Sequence, residues 1–231
     1  TIEAGKSIVV YGDYDVDGIT ATSLLYRFLV KMGARVSYYI PERQSEGYGL
    51  NLEALEHIIS DGASLVITVD CGISSYDIVD AVCNRIDIII TDHHTAPPQI
   101  PPARAVINHK QPDCPYKDKN LSGVGVAFKL CQALWLRQCG EWYLDDLDIV
   151  ALGTVADVVP LVGENRIIVQ AGLKKMNELP NLGIDKLIDV AGLHDKTITA
   201  GHIGFTLAPR LNAAGRVTHA TRAVELLVTD D

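Results

Sequence analysis

The sequence has no cysteine pairs at zinc-ribbon spacing, no apolar run long enough to cross a bilayer, no basic surplus, and no repeated or low-complexity segment. Each absence removes a class. Five cysteines, an odd number without a Cys-x-x-Cys pair, argue against a disulfide framework and fit a reducing compartment. Cys114 lies near His109, half of a zinc pattern, but no second ligand pair follows. The longest apolar stretch, from Ile149 to Val162, is broken by Asp157, and no basic segment leads into an apolar signal core. A soluble, cytoplasmic protein without a membrane span is expected. A net charge of −9 excludes a domain that coats nucleic acid through a general basic face. It leaves room for an enzyme whose carboxylates are neutralised by bound cations.

At 231 residues the chain can bury a sizeable core. Starting at Thr1 and ending at Asp231, it reads as an excised piece. Short β-branched runs at Ser7–Tyr11, Arg35–Ile40, Leu65–Val69, Ile86–Thr91 and Ala105–Ile107 alternate with helical patterns. This alternation predicts an α/β fold with a doubly wound, mainly parallel five-stranded sheet. Helices are expected over Ile19–Met32 and Asn51–Ser60, and from a capping box formed by Ser74 and Asp77. Beyond Ser122 the pattern is almost wholly helical, with Val124–Cys139, Leu147–Val155 and Ile167–Leu179 as the main segments. The division expected is residues 1–140 for the sheet part and 141–231 for a helical part of the same lobe.

What stands out is the placement of acidic and imidazole groups. Asp13, Asp15 and Asp17 follow the first apolar run at alternate positions, Asp70 follows the third, and Asp92-His93-His94 follow the fourth. In open parallel sheets, ligands bind beyond the carboxyl ends of the strands, so these groups should converge on one edge. Carboxylates so crowded need either protons or a cation between them. Asp157, isolated in the apolar stretch ALGTVADVVPL, needs a partner of the same kind. Carboxylates with one or two imidazoles suit Mn²⁺, then Mg²⁺, with Zn²⁺ less suited for want of cysteine. Two such ions can generate a nucleophile and clamp an in-line displacement at phosphorus, with Asp70 as the candidate bridge. An EF-hand reading of DYDVDG fails at its twelfth position, where Leu24 stands in place of a bidentate Glu.

With these residues in hand, the chain resembles the DHH phosphoesterase superfamily, and within it the branch of single-stranded-DNA exonucleases. The motifs that carry the resemblance are Gly12-Asp-Tyr-Asp-Val-Asp-Gly18, Val69-Asp-Cys-Gly72, Thr91-Asp-His-His94 and Thr154-Val-Ala-Asp157-Val-Val-Pro160. Outside them stand Pro41-Glu-Arg43, Ser122-Gly-Val-Gly125 and Ala208-Pro-Arg-Leu-Asn-Ala-Ala-Gly-Arg216. The resemblance implies Asp15, Asp17, Asp70, His93 and Asp157 as ligands of two Mn²⁺, with Mg²⁺ as a substitute, and Asp13 and Asp92 as ligands or groups beside them. It implies that His94, with Asp92, serves the catalytic step at the scissile phosphate. Arg43, Arg210, Asn212 and Arg216 would contact the DNA, the arginines through their fit to phosphate.

The activity implied is 5′-to-3′ hydrolysis of single-stranded DNA in repair and recombination. The partners implied are single-stranded DNA and a single-stranded-DNA-binding protein or helicase, with a monomeric chain and no membrane. The family's later domains, a DHHA1-type domain and an OB-fold, are not in this sequence, so an open, weakly gripping site is expected. Two other readings stand beside this one: a hydrolase of oligonucleotides, cyclic dinucleotides or pyrophosphate, and a noncatalytic nucleic-acid-binding platform.

Overall fold

The computed structural model describes residues 1–42, 47, 49–217 and 220–230, and the side chains of all of these except 214–217. Five strands, β1 (Ile8–Tyr11), β2 (Val36–Tyr39), β3 (Leu65–Val69), β4 (Asp87–Thr91) and β5 (Ala105–Ile107), form one sheet in the order β2-β1-β3-β4-β5. Every pairing is parallel. The order reverses direction between β1 and β3, the point at which a doubly wound sheet opens a crevice. The expected fold class is the one observed.

Alternation along the strands separates two layers. Ile8 and Val10 pack with Leu24, Leu25 and Phe28 of α1 (Val16–Lys31), Val124 and Phe128 of α4 (Gly123–Cys139), and Ile149 and Val150 of α5 (Leu147–Ala156). Val9 and Tyr11 face the other way, against Leu55 and Ile58 of α2 (Leu52–Ser60) and Val79 and Val82 of α3 (Tyr76–Val82). A sheet buried on both faces accounts for strands that read as continuous apolar runs. The larger cluster also takes in residues of α6 (Gly163–Glu178), α7 (Leu182–Val190), a π-helical turn (Ile203–Leu207), α9 (Ala208–Val217) and α10 (Thr221–Val228), whereas the three-residue α8 (Ala200–His202) contributes no buried side chain. One apolar core therefore runs across residue 140.

Three of the helix starts that differ from the sequence reading turn on which capping contacts form. α1 begins at Val16 rather than Ile19, because the Asp15 side chain accepts from Gly18 N at 3.0 Å and caps the helix there. α3 begins at Tyr76 with Ser75 at its cap position and no side-chain cap bond, so the Ser74–Asp77 box does not form. α6 begins at Gly163 rather than Ile167, since Asp118 Oδ2, from a distant loop, accepts from Glu164 N at 3.0 Å.

The α5–α6 approach matters because α5 ends on Asp157. A Cβ on Gly172 would lie 2.2 Å from Leu147 O and 2.4 Å from the Ala151 Cβ. Gly172→Ala should therefore destabilise the fold by about 1–3 kcal/mol through overpacking, read as a lower urea midpoint. An unchanged midpoint would contradict this close packing.

Candidate metal centre

Strand register sets the site. Tyr11 pairs with Thr68, Val69 with Thr91, and Thr91 with Ile107. Carried one or two residues past the strand ends, that register aligns Asp13, Asp70, Asp92 and Asn108 in one polar row along the carboxyl edge of the sheet. The ladder itself continues there, with Asp70 N donating to Thr91 O at 3.0 Å and Asp92 N to Ile107 O at 3.1 Å. Asp13, Asp70 and Asp92 are each 1% exposed, and Asp17 is 2% exposed.

Two helix ends close on this row from the other side. Gly123 N and Val124 N, at the first turn of α4, donate to Asp17 Oδ2 and Oδ1 at 2.6 and 2.8 Å. They supply otherwise unpaired helix amides to a carboxylate that has lost its water. The approach needs glycine, because a Cβ on Gly123 would lie 2.3 Å from Asp70 Oδ1 and 2.6 Å from Asp70 Cβ. Gly18 is required for the same kind of reason, its Cβ falling 2.6 Å from Asp13 O. Asp157 stands at the carboxyl end of α5. A carboxylate there faces the negative end of the helix dipole, which disfavours it unless a cation is present. Asp70 and Val158 have φ of 61° and 62°. A left-handed backbone is costly for a β-branched residue, and here such positions adjoin or carry the acidic groups.

His93 sits at the centre. Its Nε2 lies 3.1 Å from Asp70 Oδ1 and 3.8 Å from Asp17 Oδ2, and its Nδ1 lies 3.7 Å from Asp157 Oδ2. The contact with Asp70 is close but not aligned as a hydrogen bond: Asp70 Oδ1, His93 Nδ1 and Asp157 Oδ2 are buried without hydrogen-bond partners. Possible ligand atoms gather in three sets, Asp13-Asp15-Asp70, Asp17-His93-Asp157 and Asp70-His93-His94, each within 4.8 Å. Asp15 is partly exposed. Asp70 and His93 each belong to two sets.

Electrostatics points the same way. Burial and the neighbouring Asp15 raise the Asp13 carboxyl to about 7, and burial with Asp15 raises Asp157 to about 6. Asp17 is pushed well up by burial and by Asp157, and Asp70 by burial and by Asp17. Burial and the nearby His94 hold His93 down at about 4, leaving a neutral imidazole suited to a metal. Orphaned buried oxygens and an orphaned imidazole nitrogen, in a mixed oxygen and nitrogen donor set, fit one or two hard divalent cations.

Asp92 is of a different kind. Its Oδ1 accepts from His93 N at 2.7 Å and His94 N at 3.0 Å and lies 2.8 Å from His94 Nδ1, while Oδ2 accepts from Ile73 N at 2.9 Å. Burial would raise its pKa, but the bonds from the His94 ring and amide more than offset this and lower it. The Asp92 bond raises the His94 pKa in turn, against the effect of burial. Asp92 thus orients His94 and braces the turn.

Sequence reasoning missed Asn108, whose Nδ2 donates to His94 O at 2.8 Å. The signal was the register, since Asn108 follows β5 as Asp92 follows β4. It also missed the α4 amides, although Ser122-Gly-Val-Gly125 carried their signature of an N-cap followed by glycine. Arg210 is exposed and donates through Nη1 to Thr206 O, in the π-helical turn before its own helix, at 2.8 Å. Asn212 is half-buried on α9. Neither makes a hydrogen bond to the carboxylates among the contacts described. Arg43 and the Arg216 side chain lie outside the described residues. No helix among the described residues is long and apolar enough to cross a membrane.

The constellation lies at the carboxyl edge of a parallel sheet of order 2-1-3-4-5. The chain belongs to the DHH family, whose N-terminal domain matches residues 7–154. Among individual proteins it is similar to the single-stranded-DNA-specific exonuclease RecJ of Bacillus subtilis (strain 168), at 46% identity over 231 residues covering 100% of this chain and 29% of that protein. RecJ of Thermus thermophilus is 40% identical over 232 residues, covering 100% of this chain and 34% of that protein. A crystal structure of exonuclease RecJ bound to manganese matches with a TM-score of 0.91 and 38% identity, over 100% of this chain and 58% of that one. RecJ from Thermus thermophilus in complex with Mn²⁺ matches with a TM-score of 0.85 and 37% identity, over 100% of this chain and 33% of that one. The chain spans about a third of the length of the two sequence relatives.

The charge arrangement predicts a proton-linked cation effect. Asp13 and Asp157 have folded pKa values above the unfolded 3.8, so the native state holds more protons than the unfolded state up to about pH 7 and about pH 6. That contribution to stability is lost as pH rises through this window. His93, depressed from 6.5 to about 4, acts in the opposite sense and is outnumbered by the carboxylates. A divalent cation relieves the repulsion by displacing those protons. The rise in melting temperature on adding Mn²⁺ should therefore be larger at pH 8 than at pH 5.5. An equal or smaller rise at pH 8 contradicts binding at these carboxylates.

Proposed function

We propose that the chain is the catalytic core of a metal-dependent phosphodiesterase that removes mononucleotides from the 5′ end of single-stranded DNA. The observation that carries this reading is the set of buried, unpaired oxygen and nitrogen ligands shared between adjoining groups at one sheet edge. Likeness to RecJ exonucleases over the whole chain supports the substrate and the use of Mn²⁺ or Mg²⁺. Asp13, Asp15, Asp17, Asp70, His93 and Asp157 would hold the cations, with the two oxygens of Asp70 as the candidates to be shared and the neutral His93 ring offering one acceptor nitrogen to one of them. When bound, such cations polarise a phosphoryl oxygen and lower the pKa of an attacking water.

The chain's own residues then have distinct tasks. Asp17 is locked by the α4 amides, so its orientation does not depend on a cation. Asp92 commits His94 Nδ1 and assigns any contact with a substrate phosphate to Nε2. A partly exposed imidazole with a raised pKa can stabilise negative charge there or pass a proton to the departing oxygen. Asn108 fixes the His94 backbone from the next strand. Arg43, Arg210, Asn212 and Arg216 would take up backbone phosphates farther along the strand. A monomeric, cytoplasmic enzyme working with a single-stranded-DNA-binding protein or helicase belongs to the same reading.

Incubated with Mn²⁺ and single-stranded DNA labelled at either end, the protein should release mononucleotides from the 5′ end, and Asp70→Asn should abolish this. Products unaffected by Asp70→Asn, or preferential cleavage of pyrophosphate or cyclic dinucleotides in a substrate panel, would overturn the assignment.

The two histidines should separate. His93→Ala should reduce the number of Mn²⁺ bound, whereas His94→Ala should keep it and lower turnover by about 10²–10³-fold, as for other electrostatic stabilisers. Manganese titration followed by electron paramagnetic resonance, set beside turnover, checks this. Equal loss of metal in both variants contradicts the division.

A further inference from the structure

In the set Asp17-His93-Asp157 each candidate ligand comes from a different element, and His93 lies 3.8 Å from one carboxylate and 3.7 Å from the other. Two connections decide how far apart those carboxylates stand. One enters α4 through Asn120, Leu121 and Ser122 and delivers the Gly123 and Val124 amides to Asp17. The other leaves α5 after Asp157 and runs through Val158 and Pro160 to Val162, where α6 begins. On the inner side the Ser122 and Thr154 hydroxyls lie 3.2 Å apart, three residues before Asp157. On the outer side little packing holds the chain: Val158 is 85% exposed with φ of 62°, and Leu161 and Val162 are exposed as well.

Asn165, in the first turn of α6, spans these two connections. Its Nδ2 donates to Asn120 O at 2.7 Å and to Pro160 O at 3.1 Å, and the residue is 0% exposed. Two carbonyls, which only accept, need two N–H donors from one point; a hydroxyl offers one donor and an aliphatic chain none. The same amide leaves Oδ1 buried without a partner, a cost that a residue retained for packing alone would not incur. Asp118 joins the 116–120 segment to α6 alongside, Oδ1 accepting from Asn120 N and Oδ2 from Glu164 N, each at 3.0 Å. Among the contacts described Asp118 does not reach Pro160, so the segment leaving Asp157 is tied through Asn165.

We propose that Asn165 is a positioning residue of the metal centre: by joining Asn120 O to Pro160 O it fixes the separation of Asp17 and Asp157 on either side of His93. Asn165 has no described contact with any of the three ligands and acts through the backbone. Metal–ligand distances tolerate only about 0.2 Å, and groups that support ligands from outside typically change metal affinity by about 10–100-fold. Without the tie both carbonyls lose a donor, and Asp157, already at the adverse end of the α5 dipole, is no longer held opposite Asp17. The set Asp13-Asp15-Asp70 takes its ligands from the segments that follow β1 and β3, which neither connection joins, and should be spared. The role depends on the metal centre and is tested without nuclease activity.

Mn²⁺ binding is titrated by calorimetry, without DNA, for the native protein, Asn165→Ala and Asn177→Ala. Asn177 is a matched control, since its Nδ2 donates to Leu173 O at 2.7 Å and Ile198 O at 3.0 Å near the other end of α6. Asn165→Ala should weaken one of two Mn²⁺ binding steps by about tenfold and leave the other unchanged. Asn177→Ala should lower the melting temperature and change neither step. In an Asp157→Asn background, where that site is already weakened, Asn165→Ala should add little further loss. If Asn165→Ala does not fold, Asn165→Ser keeps one donor and should weaken the same step by a smaller factor.

Binding steps unchanged in a folded Asn165 variant, or weakened equally by Asn177→Ala, overturn the positioning role. So does a full tenfold loss that persists in the Asp157→Asn background. If the native protein binds no Mn²⁺, the role falls with the metal centre. Mn²⁺ binding that responds to Asn165→Ala in a protein that cleaves no DNA supports the role and removes only the nuclease reading.

Discussion

Carboxylates that water cannot reach are set side by side at one edge of the sheet, and the remaining structure is arranged around their mutual repulsion. Two unit charges about 4 Å apart repel by roughly 4 kcal/mol at an effective dielectric constant near 20. Folded domains retain only about 5–15 kcal/mol of stability in total. Asp13, Asp17 and Asp70, each nearly inaccessible, cannot therefore all be ionised without compensation. Protons provide it at low pH and divalent cations at neutral pH, which ties the fold's stability to the chemistry of its site.

Compensation within the protein is selective. Asp17 receives two amides from the start of α4, and Asp92 receives three amides and an imidazole contact. Asp70 Oδ1 and Asp157 Oδ2 receive none, and Asp157 is placed where the α5 dipole is adverse. The groups satisfied by the protein are held in place before any ligand arrives, and the unsatisfied atoms mark where a cation is required. Glycine makes the geometry possible, because Gly18 and Gly123 bring backbone against Asp13 and Asp70 where no Cβ fits.

The sheet was legible because two-sided burial leaves short β-branched runs, and the acidic groups were legible because they follow those runs. Helix starts were less so. Asp15 combines a position in the candidate ligand group with an N-cap, and that second role moves the start of α1 three residues earlier than the apolar period implies. Asp118 does likewise for α6 from 46 residues away in sequence, a contact with no local signal. Asp92 and Asp70 look alike in sequence, each an aspartate after a strand. Only the turn amides around Asp92 distinguish an orienting group from a ligand. Asn108 carried no signal until register placed it beside His94, and His109, which the sequence could only set beside Cys114, is buried with neither ring nitrogen paired.

The central claim is that the carboxylate and imidazole cluster holds two divalent cations. Anomalous diffraction from crystals of the protein grown with Mn²⁺ tests it most directly. Two manganese peaks are predicted, one among Asp13, Asp15 and Asp70 and one among Asp17, His93 and Asp157. Peaks confined to surface carboxylates, with none in the cluster, would contradict the account.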